Sequence, residues 1–173
     1  MPLDPLHPAV VHFPVVLGFL LPLFVAGALW AIRRGAAVRR AWLFPIAVAF
    51  ALALSAWVAV ETGGAQSERV ERVVADQVIE SHEEMAEAFL AASAGLAVIA
   101  LVGLIGGLTG KTARVVTAIG ALALVGLAVR VGHSGGQLVY RYGAASAYTS
   151  SGAAPNGSSP TRDAQHSGGE RDR

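Results

Sequence analysis

Four long apolar runs organise this chain, at about 13–32, 41–60, 88–109 and 113–132. Each matches the roughly 20 residues that a helix needs to cross bilayer hydrocarbon. Only helices and closed barrels satisfy their backbone polar groups in lipid, and continuous rather than alternating apolar runs specify helices. The pattern predicts an all-α, polytopic membrane four-helix bundle. Asp4 and the lack of a basic stretch before the first run argue for a retained span rather than a removed signal peptide.

Between the second and third runs the pattern changes. Residues 67–89 contain no Gly or Pro, and Val70, Val74, Val78, His82, Met85 and Phe89 recur at spacings of four and three. This predicts an amphipathic extracytoplasmic helix at about 67–87, lying on the bilayer or extending span three outward. Ser67 is the expected N-cap, and Gly63 and Gly64 the expected turn out of span two. The Gly135–Gly136 pair is expected to end span four, and Gly103 and Gly107 to help helices pack closely. Pro22 and Pro45 are candidate kinks. Residues 1–143 thus read as one membrane domain. Residues 144–173, rich in Ser, Gly and charge, read as a disordered tail, and His166 within it is given no role.

Charge sets the threading. Arg33, Arg34, Arg39 and Arg40 lie between spans one and two, and Lys111 and Arg114 between three and four. The connection at 61–87 instead carries Glu61, Glu68, Glu71, Asp76, Glu80, Glu83, Glu84 and Glu87 against Arg69 and Arg72. Basic loops stay cytoplasmic, so both termini and the long connection are expected on the extracytoplasmic side. Composition agrees: 54% of residues are hydrophobic and 14% charged, against roughly 25% charged in soluble domains. The net charge of +1 implies no nucleic-acid partner, and the absence of cysteine excludes disulfides, thiolate metal sites and thiol nucleophiles.

Three stretches carry a resemblance: Leu6-His7-Pro8-Ala9-Val10-Val11-His12-Phe13-Pro14, Glu61-Thr62-Gly63-Gly64, and Gly132-His133-Ser134-Gly135-Gly136-Gln137 with the residues that follow to Gly143. They resemble the bacterial membrane proteins grouped as domain of unknown function 2231. The resemblance implies a four-span inner-membrane domain, sometimes found alongside Rieske or cytochrome modules, and hence redox work.

Four histidines gather at one depth, because an even number of crossings returns the chain to the same leaflet. His7 and His12 precede or begin span one, His82 precedes span three, and His133 ends span four beside Glu61 at the end of span two. Imidazole is the usual axial ligand of b-type haem, and bundles build such sites from facing helices. In a haem b site, His12, His82 and His133 are the candidate ligands. His7, expected to be extended because it precedes Pro8, is a further ligand or support. Arg130 and Arg141 would pair with the propionates, and Phe13, Phe89 and the small residues of spans three and four would form an apolar slot. A Zn, Cu or Fe site would instead draw on His82, Glu83 and Glu61 with His12 or His133. A third expectation is a non-catalytic scaffold that docks a partner, with Glu61 and Arg130 as a register-fixing ion pair. The bilayer is the first partner expected and an extracytoplasmic redox protein the second; a homo-oligomer stays open. No hydrolase or nucleotide-binding motif is present.

Overall fold

A computed structural model describes residues 6–149, and the described residues form six helices and no strand. They are α1 His7–Val10, α2 His12–Arg33, α3 Val38–Val70, α4 Asp76–Val102, α5 Gly107–Tyr140 and α6 Ser146–Thr149. Helices α2, α3, α4 and α5 are long and apolar enough to cross a membrane. Each packs on the next, and α2 packs back on α5 to close the ring. The expected all-helical, four-span architecture is therefore what the chain adopts.

The packing is that of a membrane bundle. Large apolar side chains face outward, among them Phe13, Leu23, Trp30, Leu108, Ile119 and Leu122. The interior is built largely of alanines, including Ala49, Ala56, Ala97, Ala100, Ala121 and Ala128, around Leu21, Leu52, Leu96 and Leu124. Lipid is as apolar as Leu, so close approach through small residues, not removal of apolar surface from water, holds such helices together. At the end that carries the arginines, Trp42 is fully buried and its Nε1–H donates to the Ala100 carbonyl at 2.8 Å.

The span boundaries differ from the sequence expectation wherever glycine is involved. Gly63 and Gly64 do not turn the chain; they lie inside α3, which continues to Val70. Ser67 is not an N-cap, and its hydroxyl donates to the Gly64 carbonyl within the same helix. Gly135 and Gly136 lie inside α5. Gly103 admits the Trp42 indole of α3 to close contact, as expected of a packing glycine, whereas Gly107 serves the turn. They bracket the α4–α5 turn, where Gly107 has φ +71 and a Cβ on Gly110 would fall 1.7 Å from the Ile105 carbonyl oxygen. Lys111 and the buried Arg114 consequently sit on the first turns of α5, where Arg114 Nη1 donates to the Gly103 carbonyl at the end of α4.

The helical character expected at 67–87 is present, but divided. Its first residues finish α3 and its remainder opens α4, joined through the extended Ala75. At about 1.5 Å per residue, the 33 residues of α3 span about 50 Å, well beyond a hydrocarbon core of roughly 30 Å. The surplus forms a head at the end opposite Arg33, Arg34, Arg39 and Arg40. Here Val74, Ile79, Leu138 and Ala144 make a second small core. The Tyr148 hydroxyl donates to Gln66 Oε1 at 2.8 Å, and the Arg69 guanidinium lies over the Tyr148 ring, 5.7 Å from its centre. At the start of the stretch expected to be a disordered tail, Ala144 joins the second core and Tyr148 reaches α3; residues beyond 149 lie outside the described residues. Asp76, Glu80, Glu83, Glu84 and Glu87 occupy the opening turns of α4, and so many carboxylates place this segment outside the hydrocarbon.

Candidate functional site

At the head end of the bundle, two imidazoles turn inward. His7 is not extended. It opens the one-turn helix α1, with Pro8 in the first turn, where a missing N–H costs nothing. Helix α1 packs on α3, and the His7 Nδ1–H donates to the Ala59 carbonyl at 2.9 Å, with the Thr62 hydroxyl oxygen at 3.4 Å. The imidazole lies against the backbone of Gly63, where a Cβ would stand 3.0 Å from its Cε1.

The same arrangement recurs between α4 and α5. His82 Nδ1 is 2.8 Å from Ser134 Oγ. The serine proton is committed to the Val131 carbonyl at 2.9 Å, so Ser134 accepts and His82 Nδ1 carries the hydrogen. This ring lies against Gly135, where a Cβ would stand 3.2 Å from Cε1. In both halves a hydroxyl residue followed by two glycines, Thr62-Gly63-Gly64 and Ser134-Gly135-Gly136, receives a histidine from a neighbouring helix. The glycine admits the ring to the helix surface, and a group shortly before it in sequence, the Ala59 carbonyl or the Ser134 hydroxyl, meets Nδ1.

Both histidines belong to the head, outside the long apolar runs: His82 stands among the α4 carboxylates, and His7 lies in α1, ahead of the first run. Burial pushes each imidazole below its ordinary titration range, although the hydrogen bond to Ala59 works against this for His7. Positive charge on His7 lowers His82 further. Each ring is thus held neutral, with its proton on Nδ1 and a lone pair on Nε2. Fixing the tautomer through the remote nitrogen is how proteins orient histidines for a metal. Seven residues after His82 and on the same face, Phe89 is buried against α2, where a Cβ on Gly18 would stand 3.7 Å from its ring.

The other candidates stand apart from this pair. His12 and His133 are exposed, and Gln137 Nε2 donates to His133 Nε2 at 3.1 Å. Arg130 and Arg141 are exposed, with Arg141 lying 5.7 Å over the Tyr142 ring. Glu61 is exposed as well, so it forms no buried ion pair with Arg130. Phe13 is 66% exposed and Phe89 only 5%. The Glu83 carboxyl is held above the usual range by partial burial first, then by Glu71, Glu87 and Glu80. Among the described residues, no three His, Asp or Glu side chains gather in a group able to hold a metal ion.

Sequence reasoning passed over Thr62, Gly63, Ser134 and Gly135 as site residues. The repeated hydroxyl-Gly-Gly triplet was the signal that could have found them.

No curated protein and no solved structure matches the chain. A family model described as "predicted membrane protein (DUF2231)" matches residues 3–147, spanning all four membrane helices and both histidine–glycine contacts. The chain belongs to this membrane-protein family.

Proposed function

We propose that the protein is a membrane electron-transfer subunit that holds haem b between His7 and His82. One observation carries this: two half-buried imidazoles, one from each half of the bundle, spend Nδ1 on the neighbouring helix, and among the described residues Nε2 of each has no hydrogen-bond partner. A bare Zn, Cu or Fe ion needs three or more protein ligands as a rule. Haem iron needs only two, because the porphyrin supplies the other four, and bound there it would supply one-electron chemistry. The chain's part is to present both nitrogens. Arg130 and Arg141, exposed at the same end, are available to propionates.

The charge distribution supports an orientation in a bacterial inner membrane with the arginine end cytoplasmic and the histidine site extracytoplasmic. A redox partner would then meet the site from that side.

The test is an optical spectrum of the full chain, purified in detergent after expression with haem supplied. A bis-histidine spectrum is expected, lost in His7→Ala and His82→Ala and retained in His12→Ala and His133→Ala. A colourless protein overturns the assignment. If elemental analysis also finds no metal, the head is left as a docking scaffold.

A further inference from the structure

Arg33 and Arg34 end α2, and Arg39 and Arg40 occupy the opening turn of α3, all four exposed. The short link between them turns at Gly35, with φ +95, so the two pairs stand side by side on packed helices. Helices in contact lie about 8–10 Å apart, so the four guanidinium groups share one rim of the bundle. Lys111 and the buried Arg114 add positive charge at the same end of the bundle. Every acidic residue among those described falls within residues 61–87, and those that lie on the helices cluster at the opposite head. The cluster therefore has no carboxylate of its own among the described residues, and its mutual repulsion calls for an external anion.

We propose that this end binds the phosphate of anionic phospholipid headgroups in preference to zwitterionic ones. Three features select the lipid source. The arginines stand at the rim of the apolar spans, where headgroups lie. Exposed Trp30 marks the interface, and Arg34 stacks 5.4 Å over its ring, which holds that guanidinium at headgroup depth. Guanidinium also matches phosphate oxygens with paired hydrogen bonds, which a bare ammonium does not. This inference is independent of the haem assignment.

The test is native mass spectrometry of the full chain in detergent, titrated with phosphatidylglycerol or phosphatidylcholine. Wild type is expected to retain phosphatidylglycerol at least about tenfold more tightly, since each basic residue contributes about 1 kcal/mol, or about fivefold, at an anionic surface. R39Q/R40Q, which keeps Arg33, Arg34, Lys111 and Arg114 to direct insertion, should lose most of that preference. R33Q/R34Q/R39Q/R40Q should abolish it, and the control E80Q/E84Q at the head should leave it unchanged. Equal retention of the two lipids by wild type overturns the proposal, as does a preference that survives in R39Q/R40Q undiminished. Displacement of the lipid by inorganic phosphate at equal concentration would instead mark a free-phosphate site and overturn the lipid assignment.

Discussion

The His82 imidazole rests on the backbone of Gly135, and His7 stands in the same relation to Gly63. A helix interior normally disfavours glycine by about 1 kcal/mol relative to alanine. Four such positions, 63, 64, 135 and 136, lie inside α3 and α5, yet only the first of each pair meets a ring; a Cβ at Gly64 or Gly136 would touch nothing within 4 Å. This contrast separates a site role from a helix role. Gly64→Ala and Gly136→Ala are expected to raise thermal stability, by up to about 1 kcal/mol each, and to leave the haem spectrum alone. Gly63→Ala and Gly135→Ala gain the same helix propensity but displace an imidazole, so haem affinity should fall about 10–100-fold. Unchanged affinity in both of the latter would detach the glycines from the site.

The two Nδ1 acceptors are unequal. Among the described residues Ser134 is the one acceptor for His82, at 2.8 Å, whereas His7 leans on the Ala59 carbonyl and has Thr62 at only 3.4 Å. Ser134→Ala is therefore expected to weaken haem binding about 10–100-fold and to shift its midpoint potential. Thr62→Val should do markedly less, because a backbone carbonyl cannot be mutated away. Haem titration and potentiometry of the two variants check the order; a larger effect at Thr62 reverses the assignment.

Both imidazoles titrate below their usual value of 6.5 in the folded chain. An unfolded chain takes up these protons first as pH falls, so it binds more protons than the native state in that window. Stability then rises with pH, is fully present above about 6.5, and is lost progressively below it. Thermal unfolding of the haem-free protein should show a lower midpoint at pH 5 than at pH 7.5. His7→Ala and His82→Ala should each flatten that dependence. A midpoint that climbs toward acid pH would contradict neutral, buried rings.

What the sequence disclosed, and what it hid, follows from the physics of each signal. Span number and order were legible because apolar run length is set by bilayer thickness alone. Which histidines face inward was not, since helix rotation depends on partners that periodicity does not reveal: His12 and His133 turn outward while His7 and His82 turn in. Glycine misled in both directions. It serves turns through positive φ, as at Gly107, and close approach through its missing side chain, as at Gly135, and composition does not distinguish these uses. His7 was named as a further ligand, but its helical setting was hidden because proline disfavours helix in the residue before it; Pro8 stands in a helical first turn, where proline is welcome.

The arginine end offers a stability test independent of any ligand. Trp42 is fully buried, and a Cβ on Gly103 would come within 2.3 Å of its Nε1 and 2.9 Å of the Ala100 carbonyl oxygen that accepts its hydrogen. The indole must move or the α4–α5 turn must open, and the same turn supplies the carbonyl that buried Arg114 relies on. Overpacking of this kind costs about 1–3 kcal/mol, and an arginine left buried without its acceptor adds to it. Gly103→Ala should therefore lower the thermal midpoint clearly. Gly126→Ala, at a helical position with open space around the would-be Cβ, should hold or raise it. Comparable midpoints in the two variants would mean that the indole is not locked against the turn, and the tight packing assigned to this end would have to be abandoned.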